Sequence, residues 1–265
     1  MAKRNRRVSV RQSSKRKSNE GGSNRGKDYT PRLRIQDVPS TGLVARILGW
    51  KTGRPHHLLS TLERMIFFTL EWSLSVVDIR EQYPLNLDRT LAIANKLGIL
   101  HPTISGNKEP AVMTTDFLIT VHKGVNVTEH ARTAKPTDKL ASRRVMEKFE
   151  IERIYWEGTD WGIITEFDVD PILATNVESI HSYRDAATLS PMTNDVLQLV
   201  ESHLTPQLAG NKLPLRTLTT SCDKFLSLPS GSSLSVALHL IANRRWLVDM
   251  RKPLRPASHL TLTTA

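Results

Sequence analysis

The sequence predicts an α/β protein: a mixed sheet flanked by helices, followed by an all-helical domain with a winged-helix layout. Three observations carry this. Between Ser60 and Thr165 apolar residues switch repeatedly between helical and strand spacing. At Pro171 the pattern turns wholly helical. Ahead of both, the basic residues collect at the amino terminus. The resulting division is a disordered basic arm over 1–28, an α/β domain over 29–170 and a helical domain over 171–265.

At 265 residues with 39% hydrophobic side chains, the chain has room for two ordinary domains with real cores. The formal charge of +11 is unevenly placed, because residues 1–27 carry ten Lys or Arg against the single acid Glu20. That segment, with Arg4, Arg6, Arg7, Lys15, Arg16 and Lys17 among Ser, Asn and Gly, has almost no apolar side chains to offset ordering entropy. On nucleic acid such an arm adds affinity through counterion release without reading sequence. No apolar stretch approaches the roughly 20 residues of a membrane span. The one cysteine, Cys222, excludes an internal disulfide and a cysteine zinc site, and it suits a reducing cytoplasm.

Taking the elements in order, Tyr29–Trp50 is broken by Pro31, Pro39 and Gly42 and reads as extended or looped chain. A helix starts near Ser60, where Ser60-Thr61-Leu62-Glu63 has the form of a capping box and Leu62, Met65, Ile66 and Leu70 keep helical spacing. Ser75–Leu85 alternates as a strand, and Asp88–Leu97 is a helix stopped by Gly98. Two strands follow, Thr115–Val121 and His130–Ala134, around a turn at Lys123-Gly124. A single long helix is expected from about Asp138 to Trp156, then a strand over Trp161–Thr165. The second domain reads as helices over Ala174–Tyr183, Asn194–Leu204, Leu215–Leu226 and Leu234–Ala242, with Arg244–Met250 as one strand of a basic hairpin with Arg251 and Lys252. Leu234–Ala242 carries only His239 as a potential cation, so protein contact is expected of this domain rather than DNA contact.

The chemistry-bearing residues are Glu63 on the first helix, Asp116 on a strand and Lys135 at the end of the next strand. Each has a plain explanation: a capping glutamate, a solvent-facing strand acid, a strand-end lysine. Their joint order resembles nucleases of the restriction-enzyme kind, which place Glu on an early helix, Asp on a strand and (Glu or Gln)-x-Lys on its neighbour. Hard Mg²⁺ wants carboxylate oxygens from converging elements and open positions for water and phosphate. A nearby ammonium orients the attacking water and offsets charge in the transition state. Glu152 adds to this, since Val145, Phe149, Glu152 and Trp156 form one helix seam, and a carboxylate on an apolar seam needs a cation or hydrogen bonds. It either faces the site near Lys135 or pairs with Arg153 or Lys148. The adjacent His56 and His57 point to opposite sides of an extended chain, which suits structural or phosphate-contacting roles over a shared metal.

The wording of the chain also resembles one family, the TnsA-type endonucleases of heteromeric cut-and-paste transposases. The resemblance rests on Gly26-Lys27-Asp28-Tyr29, Lys51-Thr52-Gly53-Arg54, His56-His57-Leu58-Leu59-Ser60, Leu62-Glu63, Asp78-Ile79-Arg80-Glu81-Gln82, Thr115-Asp116-Phe117-Leu118, Lys135-Pro136 and Glu152-Arg153, in order over residues 26–170. It implies a restriction-endonuclease-like catalytic domain with two Mg²⁺ ions, for which Mn²⁺ can substitute. It implies a winged-helix domain that engages a TnsC-type AAA+ regulator, and nicking of the 5′ strands of double-stranded DNA at transposon ends beside a TnsB-type transposase. By motif position Glu63 and Asp116 carry over as metal ligands, Lys135 as the catalytic lysine and Glu152 as a supporting acid. Where the family pattern has Gln-x-Lys, this chain has Thr133-Ala134-Lys135, so a shorter hydroxyl, Thr133, stands at the third metal-ligand position. That departure keeps open an alternative: a catalytically weak or inactive DNA-binding adaptor that bridges regulator, transposase and DNA.

Overall fold

The computed structural model describes residues 22, 24–37, 43–104, 106, 108–189, 192–210 and 212–263. Most of the basic arm, residues 1–21, lies outside the described residues. Its last part is described, and Gly26–Asp28 forms a single 3-10 turn. That turn is tied down: Gly26 N–H donates to Asp78 Oδ1 at 3.2 Å and Gly26 C=O accepts from Arg54 Nε at 3.2 Å. Residues 26–28 are therefore structured, where the expected disordered arm ran to residue 28. The chain forms two compact units, 1–169 and 170–265.

In the first unit β1 (Ala45–Leu48) and β2 (Pro55–Leu58) make a small antiparallel hairpin, β1 falling within the Tyr29–Trp50 span expected as extended or looped chain. Gly49 closes it, because a Cβ there would lie 2.7 Å from His56 Nε2 and from Thr52 Oγ1. Helix α1 (Thr61–Trp72) follows, and its Ser60 cap accepts from Glu63 N–H. Strand β3 (Val76–Pro84) leads through α2 (Leu87–Leu97), stopped by Gly98 at φ 65°, to β4 (Thr114–Lys123) and β5 (Asn126–Ala134). The expected long helix is two: α3 (Thr137–Leu140) and α4 (Arg143–Tyr155), because Ser142 turns extended and starts the second one. Strand β6 (Asp160–Ile164) completes a mixed sheet of order β3-β4-β5-β6, antiparallel except for the parallel β5–β6 edge. Helix α2 packs on α4. Leu118 of β4 and its register partner Ala131 of β5 are buried with Leu85 and Trp156, which fixes the carboxyl end of α4 against the sheet.

The second unit contains α5 (Pro171–Ile180), α6 (Asn194–Gly210), α7 (Leu215–Phe225) and α8 (Ser232–Ala242), with 3-10 turns at His181–Arg184 and Ala186–Leu189. Val177, Ile180, Val200, Leu204, Leu218, Val236, Leu240 and Ile241 are buried between these helices. Cys222 is buried within α7.

The hairpin expected over Arg244–Lys252 is not formed, and residues 243–263 contain no strand. The strand-like alternation there has another cause. Trp246 and Met250 are buried against helices, and Trp246 Nε1–H donates to Thr205 at 3.1 Å. Asn176 of α5 then binds the backbone that a ladder would need, donating to Met250 C=O and Lys252 C=O and accepting from Leu254 N–H. Side-chain capture of these groups competes with strand pairing. The second unit is thus all-helical, without a wing among its described residues.

Candidate active site

The site sits where β4 and β5 part. Their pairing stops at Phe117–Arg132, while β5 runs on to Ala134 beside β6. Asp116 fills the gap: its Oδ2 accepts from Ala134 N–H at 2.8 Å. Its Oδ1 accepts from Gln82 Nε2 at 3.1 Å. The same amide nitrogen reaches Glu63 Oε2 at 3.3 Å, so acids from helix α1 and strand β4 meet on one donor from β3.

Glu63 closes the capping box read for it and also faces Asp116 through the Gln82 amide. Its N–H is capped by Ser60 Oγ at 3.1 Å, and its carboxylate accepts from Ser60 O–H at 2.8 Å and from Leu59 N–H at 2.9 Å. Only 6% exposed, that carboxylate is pushed up to about 7 by burial and by the neighbouring Asp116, against the pull of Leu59, Ser60 and Gln82. Asp116 is raised too, chiefly by burial, while Ala134 N–H, the Gln82 amide and the Lys135 charge draw it down. Two desolvated acids sharing one neutral donor are short of positive charge. A hard divalent cation fits this donor set, since Mg²⁺ is held by one or two carboxylates and keeps its remaining positions for water and phosphate. Among the described residues no group of three or more His, Cys, Asp or Glu could hold a metal ion, so the carboxylate set here is the pair Glu63 and Asp116.

Lys135 follows β5 directly, and its charge acts on Asp116. Its N–H donates to Ile164 C=O at 2.9 Å, which locks the strand end. Glu152, on α4 and 2% exposed, accepts from Thr115 O–H at 2.6 Å and from Thr133 O–H in a short bond. Burial raises it to about 7; the two hydroxyls oppose that and Asp116 adds to it. Of the readings open for Glu152, the pairing with Arg153 is not seen, because Arg153 bonds Glu150 instead. Thr133 therefore turns its hydroxyl proton to Glu152, and Glu152 lies within electrostatic reach of Asp116.

Gln82 joins the two acids, and sequence reasoning gave it no role at the site. At φ 48° it occupies the left-handed region, which costs a non-glycine residue about 1–3 kcal/mol. That conformation interrupts β3 between the pairs Glu81–Phe117 and Tyr83–Thr115 and aims the amide at both acids, while its Oε1 accepts from Thr114 O–H at 3.1 Å. Its one signal in the sequence was its place in the Asp78-Ile79-Arg80-Glu81-Gln82 stretch of the family resemblance, which gave it no role of its own.

Beneath the site Glu81 is fully buried, and burial alone would raise its carboxyl. Hydrogen bonds from Arg54 and His56 hold it down at about 2. Arg54 is bidentate on it at 2.8 and 2.6 Å, and His56 Nδ1 is 2.8 Å away, with Thr52 Oγ1 on the other ring nitrogen at 2.7 Å. His56 and His57 do point to opposite sides, and His56 is structural.

Two family models match the chain: TnsA-like endonuclease N terminal over residues 73–166 and TnsA endonuclease C terminal over residues 168–250. The first takes in Asp116, Thr133, Lys135 and Glu152 and starts after Glu63. Among curated proteins the chain is 41% identical over 203 residues to the transposon Tn7 transposition protein TnsA of Escherichia coli, covering 73% of each chain.

Proposed function

We propose a mechanism whose premise is that the chain belongs to the TnsA family of transposition endonucleases. In this reading the protein is a Mg²⁺-dependent DNA endonuclease of the bacterial cytoplasm. It nicks the 5′ strands at the ends of a cut-and-paste transposon, in an assembly with a TnsB-type transposase and a TnsC-type AAA+ regulator. The observation that carries it is the convergence of Glu63 and Asp116 on the single Gln82 amide.

Glu63 and Asp116 would hold the metal, two ions by the family resemblance, with Thr133 and Glu152 as its nearest support. When bound, the metal supplies Lewis-acid activation of a water and of the phosphate oxygens. The chain's own groups do the rest. Leu59 N–H and Ser60 O–H fix the Glu63 carboxylate, and Ala134 N–H fixes that of Asp116. Lys135, beside Asp116, orients the attacking water and offsets negative charge gathering on the phosphoryl oxygens. Glu152 keeps Thr133 and the end of β5 in place through one carboxylate shared by two hydroxyls. Choice of the DNA ends falls to the partner transposase, as no helix among the described residues presents an evident base-reading row of Arg, Asn or Gln.

The test is 5′-strand cleavage by the purified complex carrying Asp116→Ala or Lys135→Ala. Both should abolish it while 3′ chemistry continues, diverting products toward cointegrates. Undiminished 5′ cleavage by Asp116→Ala would remove the site. Anomalous scattering from soaked Mn²⁺ should appear between Glu63 and Asp116, and a site still empty at high metal with DNA present would favour the adaptor reading.

A further inference from the structure

The first unit has a cation-rich place that the nuclease chemistry leaves unused, a cavity of about 300 Å³ between the Lys27–Arg34 segment and the β1–β2 hairpin. Lys27, Arg34, Arg46, Arg54 and His57 line it. Arg54 is neutralised by Glu81. The side chains of Lys27, Arg34 and Arg46 have no carboxylate partner among the described residues, while Arg34 N–H donates to Asp37 Oδ2 at 3.0 Å. Two polar atoms at this place, Arg34 Nε and His57 Nδ1, are buried and make no hydrogen bond there. An arginine Nε–H is always a donor, so a buried one without an acceptor marks a place for an acceptor from outside. Burial lowers the His57 pKa; Glu81 opposes this, and the charges of Arg34, Arg46 and Arg54 add to the lowering, so the cavity is electropositive even with a neutral imidazole.

The position of the cleft matters as much as its charge. Arg46 is the register partner of His57, and two residues beyond His57 the Leu59 N–H holds Glu63. His57 N–H donates to Glu81, the residue before Gln82, and Arg32 N–H donates to Gln82 C=O. The same short segments thus fix both the cleft and the acid pair. A duplex places a phosphate every 3.4 Å or so along each strand, so DNA lying across the acids offers more than one to this neighbourhood.

We propose that this cleft holds a backbone phosphate of the DNA flanking the phosphodiester that is cut, with Arg34, Arg46 and Lys27 as its cations and His57 as an added contact. The proposal rests on the endonuclease reading for its substrate, but it stands on separate residues. Its role is register: phosphate contacts position a duplex without reading its bases.

The experiment uses the full chain, a short fluorescent duplex at low salt and no divalent metal. Removing one phosphate contact should lower the log–log salt slope of binding by about 0.9. Arg46→Ala and the Arg34→Ala/Arg46→Ala double variant should show that loss, and Arg46→Lys should keep the wild-type slope. Arg46 is exposed, so its variants test the cleft even if Arg34→Ala fails to fold. Methylphosphonate scanning should find a neutralised position that weakens the wild type and leaves the double variant unaffected. An unchanged slope with an unchanged scan overturns the proposal. So does inorganic phosphate that binds the wild type and not the double variant while duplex affinity is equal for both, because the cleft would then be a free-anion site. Loss of cleavage in Asp116→Ala together with an unchanged slope in the double variant would sink the cleft and leave the nuclease reading standing.

Discussion

Glu63 shows why single residues resist assignment from sequence. The same carboxylate closes a capping box and faces Asp116 through Gln82, so the cap and the site are one arrangement. Gln82 is a positioning residue, reaching a metal only through the acids it holds. Gln82→Leu should weaken Mn²⁺ binding by about 10–100-fold, the usual cost of an outer-shell partner, as read by calorimetry or electron paramagnetic resonance. Unchanged affinity would make the amide bystander packing. The raised acids also set a pH dependence. Glu63 and Glu152 titrate at about 7 in the folded chain against an ordinary 4.5, so their contribution to stability is fully present below about 4.5 and is lost as pH rises through about 7. The thermal midpoint of the metal-free protein should fall across that window. Mg²⁺ should restore it at the alkaline end, where the acids are free to bind, and Glu63→Gln should flatten the curve. Metal affinity should drop as pH falls below about 7, because protons compete for the same oxygens.

At the scale of elements, the buried Arg54–Glu81–His56 group joins the β1–β2 hairpin region to β3. A buried ion pair adds little net stability, yet removing one partner leaves an uncompensated charge. Arg54→Ala should therefore cost about 3–5 kcal/mol in denaturant unfolding. Arg54→Lys should recover only part of it, since an ammonium cannot reproduce the bidentate geometry. Elements with strong local signals were legible. The capping box placed α1, Gly98 ended α2, and alternation gave β3, β4 and β5 to within a few residues. Where the local signal was ambiguous, tertiary contacts decided. Trp246 and Met250 are buried without forming a strand, and Ser142 broke a helix that periodicity alone joined.

Across the whole molecule, all five predicted site residues fall in the 1–169 unit, and the 170–265 unit is helical with its own buried core. A fragment of residues 1–169 should keep the Mn²⁺ affinity of the full chain and lose pull-down of a TnsC-type regulator; retained pull-down would place that contact elsewhere. No helix of the described residues is long and apolar enough to cross a membrane. By itself the sequence carried the α/β class, the family, the charge concentrated at the amino terminus, and the order of Glu63 on a helix, Asp116 on a strand and Lys135 at a strand end. Those follow from residue type, spacing and order, which a linear pattern carries. Only the tertiary structure decided that Gln82 joins the two acids, that Thr133 turns to Glu152, that cationic side chains without carboxylate partners gather in one cleft, and that Arg244–Lys252 forms no hairpin among the described residues. Each of these depends on a strand parting, a left-handed φ or a docked side chain, and such features arise from contacts between distant segments that no local pattern encodes.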